Sequence, residues 1–189
     1  MNNVTGLILA GGMGRRMDSR DKGIVEFRGK PLVAHVVDRL APQVNSLIIN
    51  ANRSLSEYGA FGYRVISDEV GGFAGPLAGL HAGLKACATP FIVTAPCDSP
   101  FLPVDLVERL YEALQEKIAD LAVAKTGDQA QPVFALYSVT LLASLTQFLE
   151  SGGRKIDAWY STHHVVEVPF TDESAFANIN TIAELQALQ

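Results

Sequence analysis

The chain has 189 residues, 48% of them hydrophobic, with 15 basic and 20 acidic side chains for a formal net charge of −5. A chain of this length buries about 70% of its extended surface on folding, so one domain over residues 1–189 is expected, with no need of disulfides or a structural metal. The acidic balance excludes a general positive field for nucleic acid or an anionic membrane surface, and no run approaches the roughly 20 apolar residues of a membrane span.

A β-branched and aliphatic run over residues 4–10 predicts a buried first strand, which feeds the glycine loop Gly11-Gly12-Met13-Gly14. After a short strand-like piece over 23–27, Pro31 in a first-turn position predicts a helix to about residue 40. Residues 44–50 and 64–67 read as further strands. Residues 75–87 read as a helix opened by Pro76, and 90–95 as a strand ending in Pro96-Cys97-Asp98. Leu106, Leu110 and Leu114 share one face of a helix expected from about 103 to 117. Residues 119–125 and 132–137 are apolar runs separated by a polar turn, a hairpin that adds antiparallel strands. A helix over 139–149, a break at Gly152-Gly153, a short helix over 154–160, a strand over 164–168 and a last helix complete the chain. Thr181 and Glu184 have capping-box spacing at the entry to that helix. The alternation predicts an α/β fold with a mostly parallel central sheet, helices on both faces and an antiparallel addition.

The segment LAGGMGRRMDSRDK over 9–22 is the richest in chemistry. A glycine loop at the carboxyl end of a first strand lets backbone amides wrap phosphates, and Arg15, Arg16 and Lys22 neutralise them; a flexible turn with solvated basic side chains is the plainer alternative. The segment is not a P-loop, since no GK[ST] follows. It is a poor dinucleotide fingerprint, because Met17 stands where the third glycine belongs.

Asp98 follows a strand and should emerge on the same sheet edge. A hard cation such as Mg²⁺ takes one or two carboxylates and completes its shell with phosphate and water, so one aspartate suffices; a helix cap or turn before Pro100 is the alternative. Asp68 also ends a strand, as a loop cap or as an acceptor for the donors on a guanine edge. Asn50 and Asn52 at another strand end suit turn formation or hydrogen bonding to ribose or base. Residues 71–75 read as a mobile lid or a nucleotide-facing loop, and Gly79 and Gly83 as close helix packing. Arg154 and Lys155 are either a phosphate contact or a solvated pair. Cys87 and Cys97 form no CxxC, and Cys97 has no histidine in a context that suggests a base. His35, His81, His163 and His164 have no zinc spacing. The amino-terminal stretch has no basic n-region, so a reducing cytoplasm is the expected setting.

LAGG, RRM and DK near the start, NAN at 50–52, GPLAGL at 75–80, PCDSPF at 96–101 and NIN at 178–180 together resemble the molybdenum cofactor guanylyltransferase family, within the sugar-phosphate-type nucleotidyltransferases. The likeness runs over residues 9–185, and implies a Rossmann-like nucleotidyltransferase fold. It further implies transfer of GMP from magnesium–GTP to molybdenum-bound molybdopterin, with Mg²⁺ as cofactor, GTP and molybdenum-molybdopterin as substrates, and pyrophosphate released. By resemblance, Leu9, Ala10 and Gly11 hold the nucleotide through backbone contacts, with Gly12 and Gly14 completing the loop. Lys22 matches the phosphate-contacting lysine, Asn50 and Asp68 the guanosine-binding positions, Asp98 the magnesium ligand, and Asn178 and Asn180 the late pair near the metal and the molybdopterin side. With Arg16 of the basic loop, Lys22 and Asp98 make up the expected catalytic set, and phosphoryl transfer requires no covalent residue. Asp18 departs from the glycine that many members carry there. Transient contacts with molybdopterin-delivering proteins and recipient molybdoenzymes follow from the same resemblance, and a monomer is compatible with it. A cytidylyl-, adenylyl- or sugar-phosphate nucleotidyltransferase, or a non-catalytic molybdopterin carrier, would share much of this pattern.

Overall fold

The computed structural model describes residues 3–11, 21–69 and 75–188. Nine strands are present among them: β1 (Val4–Leu9), β2 (Glu26–Phe27), β3 (Lys30–Pro31), β4 (Ser46–Asn50), β5 (Arg64–Ile66), β6 (Phe91–Pro96), β7 (Leu121–Thr126), β8 (Gln129–Ser138) and β9 (Val165–Phe170). Seven form one sheet in the order β5-β4-β1-β6-β8-β7-β9. Six of these run in one sense, and β8 alone is reversed, pairing antiparallel with β6 and β7. The helices are α1 (Leu32–Leu40), α2 (Leu55–Gly59), α3 (Pro76–Ala86), α4 (Leu106–Lys117), α5 (Leu142–Glu150), α6 (Ile156–Tyr160) and α7 (Ile182–Ala187).

Strand residues alternate between two cores, as the period of two requires. Val4, Ile8, Ile49, Val93, Ala122, Phe134 and Leu136 face a core shared with Val33, Val36 and Val37 of α1 and Leu106, Leu110 and Leu114 of α4. Their neighbours Leu7, Ile48, Ile92, Leu121, Val123, Ala135 and Tyr137 face Leu77, Leu80 and Leu84 of α3, Leu145 and Leu149 of α5, and Trp159 of α6. Both faces are therefore covered, as the alternation predicts. No helix among the described residues is long and apolar enough to cross a membrane.

Several boundaries differ from expectation for identifiable reasons. The strand-like 23–27 stretch is a 3-10 turn (Lys22–Ile24) followed by the β2–β3 hairpin. Its two central residues, Arg28 (φ 48°) and Gly29 (φ 80°), are both left-handed, as a tight primed turn demands. Pro31 is the N-cap of α1, one place before the first turn. Helix α4 begins at Leu106 because Gln43 caps it from a distance: its Oε1 accepts the Val107 amide (3.0 Å) and its Nε2 donates to Pro103 O (2.9 Å). β8 begins before Pro132, since the ladder slips between Val123 and Ala124 and accommodates a proline that has no amide to pair. Helix α2 is too short for a periodic signal.

Gly83 illustrates how closely α3 lies on the sheet. A Cβ there would overlap Leu7 Cδ2 and come within 3.0 Å of Ile92 Cδ1. Gly83→Ala is expected to lower stability by about 1–3 kcal/mol, read as a lower urea midpoint with an unchanged slope.

Candidate active site

Because β1, β4, β5 and β6 are parallel, their carboxyl ends share one edge. The ladder extends just past β1: Ala10 N donates to Asn50 O (2.8 Å), and Cys97 N donates to Leu9 O (3.1 Å). Gly11 thus leaves the sheet from a fixed point.

Two polar clusters lie on this edge. In the first, Asn50 Nδ2 donates to Asp68 Oδ1 (2.9 Å), Asn52 Nδ2 donates to Asp68 Oδ2 (2.8 Å), and the Asp68 amide donates to Asn52 Oδ1 (2.9 Å). Both carboxylate oxygens are held, and each keeps a further lone pair for another donor. A Cβ on Gly11 would lie 3.3 Å from Asn52 Nδ2 and 3.5 Å from Asn50 Oδ1, so the backbone leaving β1 passes directly against this cluster. Asn50 is 2% exposed. It fits under α3 only because residue 79 is glycine, where a Cβ would overlap the Asn50 amide and approach Leu9 Cδ2 to 2.7 Å.

The second cluster joins residues far apart in the chain. Lys22 Nζ donates to Asp98 Oδ2 (3.2 Å) and to Asn180 Oδ1 (2.7 Å). The Lys22 and Asp98 side chains are 22% and 10% exposed, so the pair is largely shielded from solvent. Ser99 Oγ donates to Asn178 Oδ1 (2.5 Å), and Ile179 N donates to Asp98 O (2.9 Å), fastening the NIN segment beside Asp98. That segment is held from behind as well. Phe176 packs edge-on against Phe134 and Phe170, and Ile179 fills a small core with Phe27, Leu32 and Leu185. Glu184 accepts the Asn180 amide (2.7 Å) while completing the capping box with Thr181, which is present as its spacing predicts.

The predicted residues Asn50 and Asp68 therefore meet in one cluster with Leu9, Ala10 and Gly11 alongside, and Lys22, Asp98, Asn178 and Asn180 meet in the other. Gly12, Gly14 and Arg16 lie outside the described residues, as do Arg15, Asp18 and residues 71–74. Asp98 does not cap α4, whose N-cap is Asp105. The Arg154 guanidinium donates to Leu149 O (3.0 Å) and Gly153 O (2.7 Å), closing the end of α5. Burial and the neighbouring Asp98 charge push the Cys97 thiol up, away from a nucleophilic thiolate. His35 bonds Phe27 O, His81 bonds Thr146 and His163 bonds Ser144, all structural contacts.

Asp21, Tyr58 and Ser99 have no role assigned from the sequence, and Glu184 has one only as a helix cap. Tyr58 Oη donates to Asp21 Oδ1 (2.5 Å) directly behind Lys22. Burial raises the Asp21 carboxyl above its ordinary range, opposed by the Tyr58 bond and the Gly23 backbone. No local signal marks that pair; the capping-box spacing was the available pointer to Glu184.

Among the described residues no group of three or more His, Cys, Asp or Glu is placed to hold a metal ion. In the second cluster the Asp98 carboxylate and the Asn180 side-chain oxygen both contact one ammonium group. A hard cation that shares its shell with phosphate needs no more from the protein.

A mostly parallel α/β sheet with polar side chains gathered at the carboxyl ends of its strands is the arrangement in which nucleotide-binding folds take their ligands. The fold agrees with 4-diphosphocytidyl-2C-methyl-D-erythritol synthase from Anaerococcus prevotii (TM-score 0.77, 13% identity, covering 99% of this chain and 96% of that one). A family model described as a MobA-like NTP transferase domain matches residues 6–166. The chain is 54% identical to the molybdenum cofactor guanylyltransferase of Cupriavidus taiwanensis, over 98% of this chain and 96% of that one. It is 52% identical to that of Bordetella petrii, over 98% and 97%. The structure of molybdopterin-guanine dinucleotide biosynthesis protein A from Archaeoglobus fulgidus superposes with a TM-score of 0.80 at 27% identity, over 97% and 96% of the two chains. The chain belongs to the MobA-like molybdenum cofactor guanylyltransferase family of the nucleotidyltransferase superfamily.

The Asn50–Gly79 fit makes a testable demand. Gly79→Ala is expected to lower stability by about 1–3 kcal/mol. Asn50→Ala, by vacating the space, should recover part of that loss in the double variant, so the two effects measured by urea unfolding are non-additive.

Proposed function

We propose that this chain transfers GMP from GTP to the terminal phosphate of molybdenum-bound molybdopterin, forming the guanine dinucleotide cofactor and releasing pyrophosphate. The observation that carries this reading is the convergence, in a member of this family, of a held carboxylate (Asp68) and a lysine–aspartate–asparagine cluster (Lys22, Asp98, Asn180) on one sheet edge beside Gly11.

Asp68, oriented by Asn50 and Asn52, presents lone pairs to the adjacent N1–H and exocyclic amino donors of guanine; adenine has an amino group but an acceptor at N1. The Ala10 amide and Leu9 carbonyl serve the sheet, so nucleotide contact from this segment falls to the Ala10 carbonyl and the backbone of Gly11. Gly12 and Gly14 would extend that cradle around the phosphates. Lys22, with Arg16, offsets negative charge on the phosphate chain, and Asn178 and Asn180 orient the acceptor side. An oxygen of the acceptor phosphate forms a new bond to the α-phosphorus, and the bond from that phosphorus to the pyrophosphate oxygen breaks in line. The nucleophile is already anionic near neutral pH, so no general base or covalent residue is required, and catalysis rests on positioning and charge. Asp98 and Asn180 would hold magnesium, which supplies Lewis-acid neutralisation of phosphate charge when bound. The reaction uses two small molecules. Encounters with molybdopterin-delivering proteins and recipient molybdoenzymes in the cytoplasm are the partners it calls for.

Pyrophosphate release is to be measured with GTP, ATP, CTP and UTP, with and without molybdenum-molybdopterin, in magnesium and in EDTA. GTP-selective, acceptor-dependent, EDTA-sensitive release is expected. Equal release with another nucleotide would sink the guanine assignment, and binding without release would mark a carrier. Asp98→Ala should lower transfer by about 10²-fold or more at saturating magnesium, and Lys22→Ala should raise KM for GTP or lower kcat by about tenfold or more. Wild-type kinetics in either variant would remove that residue from its role.

A further inference from the structure

Lys22 reaches Asp98 and Asn180 from a backbone segment whose position is fixed by something else. Residues Lys22–Ile24 form a single 3-10 turn, with Ile24 N donating to Asp21 O (3.0 Å) and Val25 N to Lys22 O (3.2 Å). A turn this short does not hold itself in place. The Leu32 amide ties its far end to α1 by donating to Val25 O (2.9 Å), and at Lys22 it is seated through the two residues that neighbour the lysine. On one side of Lys22, Asp21 accepts a hydrogen bond from the hydroxyl of Tyr58, a side chain on α2 with no exposed surface. On the other, Gly23 lies in a slot where a Cβ would overlap Tyr58 Oη and approach Cys97 Cβ and Sγ to 3.2 Å. Cys97 is the residue before Asp98. One tyrosine hydroxyl therefore touches both neighbours of the lysine, against the strand end that carries the carboxylate.

We propose that Tyr58 is a positioning residue for the transfer step: through its hydroxyl it holds Asp21 and the Gly23 turn, and so sets the Lys22 ammonium against Asp98 and Asn180. Lysine is a flexible, strongly hydrated point charge whose side chain has much rotamer freedom to lose. The geometry of its ammonium therefore depends on where its backbone starts. Tyr58 also stands on the helix that follows the Asn50–Asn52 strand end, so the same hydroxyl ties the Asp68 cluster's side of the edge to the Lys22 side. The inference rests on the reading of Lys22 as the phosphate-contacting lysine.

The test is a double-mutant cycle in the full chain, read as kcat and KM for GTP in acceptor-dependent pyrophosphate release, with thermal unfolding alongside. Tyr58→Phe keeps the buried ring and removes only the hydroxyl. It is expected to lower kcat/KM about tenfold, the order expected for one hydrogen bond to a charged group, while the protein stays folded at the assay temperature. In the Lys22→Ala background the same substitution should change kcat/KM less than twofold, because the group it positions is gone. Asp21→Leu should match Tyr58→Phe or exceed it, and Asp21→Asn, which keeps an acceptor oxygen for the hydroxyl, should lose less than Asp21→Leu. Wild-type kinetics in Tyr58→Phe, or a tenfold loss that persists without Lys22, would overturn the inference. Should Tyr58→Phe fail to fold, the Asp21 pair decides in the same way: equal losses for Asn and Leu would overturn it. Wild-type kinetics in Lys22→Ala itself would instead reject the role of the lysine on which the inference stands.

Discussion

The parallel pairing of β1 with β4 on one side and β6 on the other is the constraint from which the site follows. Leu9 is in register with Asn50 and with Pro96, so three chain segments end at one level and their next residues must leave the sheet together. A slip of one residue on either side would turn Asn50 or the β6 end to the opposite face. Such a slip is opposed by the two cores, since it would also exchange Ile48 with Ile49 and Ile92 with Val93 between the helices that cover them. Precision at a polar edge is thus set by apolar packing beneath it.

That edge concentrates polar groups with little exposure. Asn50, Asp98 and Ser99 are 2%, 7% and 0% exposed, and each has a hydrogen-bonding partner on a different segment of the chain. Burial makes such bonds expensive to leave unmade, so the groups orient one another. The glycines contribute by absence: at positions 79 and 23 the lack of a side chain lets Asn50 and the Lys22 turn come close to their neighbours.

The layering was legible because long apolar runs with clear periods dominate it. The strands at 4–9, 46–50 and 91–96 and the helices at 76–86 and 106–117 appear within a few residues of expectation. The capping box at Thr181 and Glu184 was legible because its chemistry is local. Gln43 capping α4, Tyr58 bonding Asp21, and Ser99 bonding Asn178 were not, since each joins residues separated widely in sequence and leaves no periodic trace. That Asp98 shares an edge with the segment carrying Lys22 follows from its strand end, whereas the placing of Asn180 beside them was suggested by family resemblance alone. Nothing in composition or spacing brings residue 180 back to residue 98; the Phe134–Phe170–Phe176 cluster and the Ile179 core do that in three dimensions.

The reversed strand has a consequence for how the chain comes together. β7 precedes β8 in sequence but lies one place further from β6, so when residues 121–126 are synthesised their future neighbour in the sheet has not yet been made. Until residues 129–138 fill the gap, the open rim of β6 is an unpaired edge, the kind that recruits foreign strands. The four parallel strands β1, β4, β5 and β6 are complete in the chain before β7, β8 and β9, a leaf in which β7 and β9 join the rest of the sheet only through β8. Asn178 and Asn180 lie beyond that leaf in the chain, so their side of the edge is completed last, and a nascent or truncated chain would have Lys22 and Ser99 in place before their late partners.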